Sequence, residues 1–337
     1  MHALTSLDIG FREKPQSGDC FTHFELPDEG LVIAAVADGV GAHSHDWAAS
    51  RAACAAILPA FNAARDEEPS ARLARTAAAA HDAVQSLRGA AAGALSTLVL
   101  AAWHPASGLC RFVNVGDSRL YLVGDGGPAQ LTTDDARGVV LRRAGQVILQ
   151  NGAVAFSRAL TRALGQAEPL DFTAQSVQVD PGAMLVLTTD GGHELPGFAQ
   201  RLLEIQNHLD LEEATQALIG SLCHEQAKDD VTLILMRDTT CPPAVREQAL
   251  CALHAGKGLT GPGRYGHLMI SVAVEDMARC ACTGDMEGVL RCLEAMMTAG
   301  LRPRRRDAMA VIRAIVDDGR PETVRAHRRL VDWAGKL

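Results

Sequence analysis

No Cys-x-x-Cys pair occurs in the 337 residues, and the nine cysteines are an odd, scattered set in which Cys280 and Cys282 are the closest two. That excludes a disulfide framework and a cysteine zinc site, and predicts reduced thiols. Long apolar runs are also missing. The longest, such as Leu31 to Ala37 and Leu98 to Trp103, fall far short of the roughly 20 residues that cross a bilayer. Met1 to Phe11 has no basic stretch followed by an apolar one, so no secretory signal is read there; the expected location is the cytoplasm, with no membrane partner. The absence of a Gly-x-Ser-x-Gly elbow removes support for Ser-His-Asp catalysis.

The chain lacks positive charge where nucleic acid would need it. Residues 1–240 carry 17 Lys and Arg against 29 Asp and Glu, whereas 241–337 carry 15 against 11. An acidic main body argues against nonspecific binding of a phosphate backbone. The asymmetry also predicts two units, and a hydrophobic content of 47% is enough for a substantial core.

What is present begins with strand signals. Phe21 to Leu26 and Leu31 to Ala37, separated by the turn residues Pro27 to Gly30, read as a hairpin whose second strand is apolar at nearly every position and so buried on both faces. Alanine-rich stretches from Asp46 to Ala64 and from Ser70 to Leu87 read as helices. Strands are expected at Leu95 to Trp103, Leu109 to Val115, Arg119 to Val123, Phe172 to Val179, Ala183 to Thr188 and Val231 to Met236, with a helix over Leu209 to His224 and a mixture of helix and loop over Thr132 to Thr161. Hairpins dominate and regular βαβ alternation is missing. The expected class is therefore α+β, with antiparallel sheets covered by helices.

Four aspartates stand where apolar strands begin or end: Asp38, Asp117, Asp190 and Asp229. A strand end at the rim of a buried sheet holds a carboxylate in place while leaving it open to ions. Several converging on one rim repel one another unless a cation neutralises them, and an oxygen-only donor set favours Mg or Mn over Zn. Asp38 and Asp190 are each followed by glycine, where a bend without a side chain lets a backbone carbonyl turn toward a metal.

These residues carry a resemblance. Ala37-Asp38-Gly39-Val40-Gly41-Ala42-His43 is similar to the Asp-Gly-Met-Gly-Gly-His element of the bacterial type 2C (PPM) metal-dependent protein phosphatases. Residues 114–119 match that family's Gly-Asp-Ser-Arg turn, 160–165 its Leu-Thr-Arg-Ala-Leu-Gly stretch, 189–191 its second Asp-Gly, and Asp229-Asp230-Val231-Thr232 its closing Asp-Asn-x-Thr, with Asp230 for asparagine. The resemblance implies an α-β-β-α sandwich of two antiparallel sheets flanked by helices. It also implies hydrolysis of phosphoserine or phosphothreonine in a phosphorylated protein by a water activated between two Mn or Mg ions. By the same resemblance Asp38 bridges both ions, the Gly39 carbonyl binds one, Asp190 and Asp229 complete the other, and Asp117 helps hold a weaker third. Asp38, Asp190 and Asp229 then carry catalysis, and Arg12 or Lys14 grips the substrate phosphate. Asp19, Asp230 and His43 support from behind. The family usually has Asn-Glu-Asp where this chain has Ser17-Gly18-Asp19, so Gly18 stands in place of a metal-binding glutamate. The branch that regulates sporulation and stress sigma-factor partner switching shares this Gly-Asp. Asp134 and Asp135 stand where many relatives have Asp-His.

The tail shifts composition near Cys241. Residues 241–266 read as a linker, with five glycines between Gly256 and Gly266, and 267–337 as a helical extension in which Gly284, Glu287 and Val289 recur as Gly319, Glu322 and Val324 at an offset of 35 residues. The two units loosely resemble pentatricopeptide helical hairpins. Such arrays bind RNA only when long, so a helical bundle for a protein partner or self-association is preferred over RNA. Two readings compete with an active phosphatase: a catalytically silent phosphoprotein-binding regulator, motivated by Gly18, and an adaptor with an RNA-binding tail.

Overall fold

The computed structural model describes residues 2–10, 16–40, 45–140, 142–143, 146–147, 149–150, 153–154, 156–206, 211–222, 229–239, 243–255, 259, 266–303, 305–315 and 318–337. Two antiparallel sheets stack face to face. One has the strand order Gln175–Gln178, Leu109–Val115, Leu98–His104, Leu31–Val40, Asp19–Leu26. The other runs His2–Ile9, Val231–Asp238, Met184–Thr188, Arg119–Gly124, Gly127–Gln130.

Strand periodicity explains why the central strands are apolar throughout. Ile33, Ala35 and Ala37 pack under the helices Asp46–Ala63 and Pro69–Gln85, while Val32, Ala34 and Val36 face the second sheet. In that sheet Met184 and Val186 lie in the outer core with Phe198, Leu202, Leu211 and Leu218 of the helices Phe198–Gln206 and Leu211–Leu222. Leu185 and Leu187 lie between the sheets. Successive residues point to opposite faces, so a strand with helices on one side and a sheet on the other needs no polar positions. The layers are helices, sheet, sheet, helices, as the resemblance implies.

Three sequence expectations change. Thr132 to Thr161 holds no helix among the described residues; Ala136–Val140 pairs with Phe156–Leu160, with two-residue ladders between. Val139, Val140, Val147 and Val154, interrupted by Gly138, Gly145 and Gly152, favour ribbon and turn over helix. His2–Ile9, examined in the sequence only for a signal, pairs over its whole length with Val231–Asp238. Within 241–266, Pro243–His254 is helical, and its Ala249 and Leu253 join the tail's core.

The tail continues as Gly266–Thr283, Met286–Thr298, Arg305–Ala314 and Pro321–Ala334 around Ile270, Met277, Val289, Leu293, Met296, Val311 and Leu330. The glycines of the 35-residue offset, Gly284 at φ 75° and Gly319 at φ 72°, each precede a helix start in the left-handed conformation that glycine adopts without strain. Among the described residues no helix is long and apolar enough to cross a membrane.

Candidate metal and phosphate site

The rim is assembled from strand ends of both sheets. Asp38, near the end of Leu31–Val40, pairs in register with Asp19. Its N–H donates to Thr97 Oγ1 at 3.0 Å and its carbonyl accepts the Thr97 N–H at 2.8 Å. Thr97 Oγ1 also lies 2.7 Å from Ser118 Oγ, so the turn carrying Asp117 is tied to the strand carrying Asp38. On the facing sheet Asp190 opens the short helix Asp190–His193 directly after Met184–Thr188. Asp229 lies just before Val231–Asp238, the neighbouring strand. Thr189 N–H donates to the Thr232 carbonyl at 3.2 Å, holding these two ends together. Gly191 is required by close approach, because a β-carbon there would collide with the Asp230 carbonyl.

The carboxylates repel one another. Burial, then the charges of Asp19, Asp190 and Asp229, push the Asp38 carboxyl well above the usual range, and Asp38 shares side-chain hydrogen bonds with Asp19 and Asp190. Asp190 is lifted to about 6 by burial and by Asp117, Asp229 and Glu194. Asp19, 3% exposed, is also raised well above its ordinary value. Burial is the main cause there, opposed by hydrogen bonds from Thr189 and Thr232. The charges that weigh most on Asp38 and Asp190 are those of other carboxylates. An oxygen-only cluster fits a hard divalent cation. Among the described residues no three His, Cys, Asp or Glu side chains are gathered closely enough to hold an ion alone. Carboxylate pairs completed by water match the way Mg²⁺ is commonly held.

The structure brings Asp38, Asp190, Asp229, Asp117 and Asp19 to this rim. Arg12, Lys14 and His43 lie outside the described residues. Gly39 sits behind Asp38, its N–H donating to the Gly18 carbonyl at 3.1 Å. Asp230 is buried and accepts the Gly18 N–H at 2.7 Å. A β-carbon on Gly18 would lie 3.2 Å from Oδ2 of both Asp230 and Asp46, so two carboxylates flank the position that lacks glutamate. Asp117, 6% exposed, accepts the His193 Nε2–H on its carbonyl at 3.0 Å. His193 is held down to about 4 by burial and by Arg119, which keeps the imidazole neutral.

Sequence reasoning missed Thr97, Ser118, Thr189, His193 and Asp46. The Thr189 hydroxyl donates to Asp19 Oδ2 at 2.7 Å and accepts the Thr232 N–H at 3.1 Å. A hydroxyl flanking an Asp-Gly pair was the available signal, but it gains meaning only when two distant strand ends meet. A cavity of about 660 Å³ beside Glu25, Pro27, Pro105 and Pro181 is at the opposite end of the sandwich and takes no part.

A family model described as Protein phosphatase 2C matches residues 16–229. A curated Streptococcus pyogenes protein, named as of the protein phosphatase 2C type, is 27% identical over 128 residues, which are 38% of this chain and 52% of that protein. The chain thus spans about half the length of that relative. Among solved structures, the S. agalactiae serine/threonine phosphatase superposes with a TM-score of 0.53 at 20% identity, over 71% of this chain and all of the other. The PPM Ser-Thr phosphatase MsPP from Mycobacterium smegmatis, in complex with cacodylate, gives 0.53 at 23%, over 70% and 98%. The catalytic domain of PstP in complex with two manganese ions gives 0.52 at 21%, over 70% and 97%. At these identities the superpositions establish the fold.

Proposed function

The chain belongs to the protein phosphatase 2C family, and from that premise we propose that it hydrolyses phosphoserine or phosphothreonine in a protein substrate, using the carboxylate rim to hold two Mn²⁺ or Mg²⁺ ions. The observation that carries this reading is the cluster of Asp38, Asp19, Asp190 and Asp229, whose charges raise Asp38. Bound there, the cations would lower the pKa of an attacking water and stabilise charge developing on the phosphoryl group. Asp38, central to the cluster, would serve both ions, with Asp190 and Asp229 on one side and the Gly39 carbonyl on the other. Asp117 would serve a weaker third. Asp19, gripped by Thr189, would orient Asp38 from behind. Arg12 or Lys14 would bind the phosphate, the guanidinium of Arg12 offering the better two-pronged geometry. Residues 1–240 form the catalytic unit in this reading, and the helices beyond it serve a protein partner or self-association.

The test is hydrolysis of p-nitrophenyl phosphate with Mn²⁺ or Mg²⁺, beside Asp38→Ala and Asp190→Ala variants and calorimetric Mn²⁺ titration. Metal-dependent turnover lost in both variants is expected. Turnover that is absent or indifferent to metal would overturn the reading. Gly18 favours a second one, a silent phosphoprotein binder. It predicts phosphopeptide binding with no turnover at any metal concentration.

A further inference from the structure

Asp134, Asp135 and Arg162 have no part in the metal cluster, yet they form a connected network beside it. Arg119 grips both carboxylate oxygens of Asp134 at 2.9 and 2.7 Å. Asp135 donates its N–H to the Gly116 carbonyl at 2.8 Å, and its carboxylate accepts the Gly116 N–H at 3.2 Å and the Arg162 guanidinium at 3.2 Å. Its carbonyl accepts the Thr161 N–H at 2.8 Å. Gly116 immediately precedes Asp117. One residue therefore joins the rim turn to both ends of the ribbon that leaves at Ala136 and returns at Leu160.

Arg162 carries the connection outward by donating to the Asp171 carbonyl at 2.5 Å. A polar pocket of about 380 Å³ opens here, lined by Asn114, Arg162, Pro169, Asp171, Thr173 and Gln175. It stands at an edge. Gln175–Gln178 pairs with Leu109–Val115 on one side, and among the described residues no strand pairs with it on the other. Register gives the pocket a direction: Gln178 lies opposite Leu109 and Gln175 opposite Phe112, so the residues preceding Gln175 run toward Val115 and the Asp117 turn. An open strand edge next to a polar, partly exposed arginine is a surface for an extended peptide, with main-chain hydrogen bonds along the edge and a pocket for a side chain.

We propose that this pocket and edge receive the extended polypeptide flanking the phosphorylated residue of the substrate, with the Asp135–Arg162 pair as its positioning element. The identity of the occupant rests on the phosphatase reading. Continuity with the rim favours it over an unrelated partner, since Asp135 bonds at once to Gly116 and to the pocket's arginine.

The test uses the full chain with Mn²⁺ and a fluorescein-labelled phosphothreonine peptide library, comparing wild type, Arg162→Gln, Arg162→Lys and Thr173→Trp. Anisotropy reads peptide affinity, and p-nitrophenyl phosphate reads the rim without a peptide. Arg162→Gln and Thr173→Trp should weaken peptide binding about tenfold more than they lower kcat/KM for p-nitrophenyl phosphate, with Arg162→Lys losing less than Arg162→Gln. Peptide affinity unmoved by Arg162→Gln and Thr173→Trp, parallel losses on both readouts, or no peptide binding by wild type would overturn the proposal. Wild type that binds peptide with this variant pattern but never turns over p-nitrophenyl phosphate would uphold docking and sink hydrolysis.

Discussion

In the metal-free protein Asp190 should contribute a loss of stability as pH rises from about 4 to about 8, set against the gain from His193, whose pKa, lowered from 6.5 to about 4, adds stability between those two values. Asp190 is lifted from 3.8 to about 6 by burial and by the charges of Asp117, Asp229 and Glu194. A carboxyl that holds its proton more tightly folded than unfolded contributes stability that is complete below about pH 4 and lost as pH passes through about 6. The gap is about 2 in pKa, and at about 1.4 kcal/mol for each the loss is about 3 kcal/mol. Asp38 and Asp19 are raised in the same direction, but the three share one field, so their losses do not add independently. Saturating Mn²⁺ should oppose the trend, because it binds the ionised carboxylates and its contribution grows as protons leave. The assay is urea unfolding in EDTA and in Mn²⁺ across this range, with Asp190→Asn alongside. That variant should remove this downward contribution, gain up to about 3 kcal/mol relative to wild type near pH 8 and forfeit much of the Mn²⁺ stabilisation. An unchanged pH slope in metal-free Asp190→Asn would refute the argument.

Asp38→Ala should abolish tight Mn²⁺ binding by calorimetry and lower kcat by on the order of 10³; tight binding retained in this variant would contradict the assignment. Thr189→Val removes a buried hydroxyl that serves Asp19 and the Thr232 N–H together. It should cost about 2–4 kcal/mol in urea unfolding and Thr189→Ser under about 1, and near-equal variants would show that the hydroxyl bridges nothing of consequence. Gly18→Glu places a third carboxylate against Asp46 and Asp230, whose Oδ2 atoms lie 3.2 Å from the new β-carbon. Metal-free stability should fall and the weaker Mn²⁺ should bind about tenfold tighter. Unchanged calorimetric titration would mean that position 18 does not face the second ion.

Much of this architecture is legible because burial on both faces leaves a plain signature. Leu31 to Ala37 is apolar without alternation, and the structure divides those residues between two cores. The aspartates are legible for the complementary reason: Asp38, Asp190 and Asp229 each interrupt such a run at its end. The ribbon after Ala136 was not, because Val139, Val140 and Val154 lack a repeat that distinguishes a paired strand from a loop. Nor was His2–Ile9, whose partner Val231–Asp238 is over two hundred residues away and whose place in the sheet no local pattern states. Thr97 and Thr189 are invisible one by one, since a threonine beside an aspartate is ordinary until the fold sets it between two strand ends.

The hydrogen bonds around the cluster also explain why it tolerates its own repulsion. Thr97 holds the Asp38 backbone and Thr189 holds the Asp19 side chain, which limits how far the cluster can spread to relieve the charge. A flexible set of carboxylates would spread apart without metal and would have to be gathered again on binding, at a cost in affinity. Held in place, they carry the repulsion as lost folding stability and recover it when a cation arrives. The recovery is unequal across the site. In the proposed arrangement Asp38, Asp190 and Asp229 would serve one ion, whereas beside Gly18 only Asp38 and the Gly39 carbonyl would be in line for the other. One ion should therefore bind tightly and the other weakly, with turnover following the occupancy of the weak position. Equal, tight binding of both ions in a calorimetric Mn²⁺ titration would show that Asp46 or Asp230 makes good the missing glutamate.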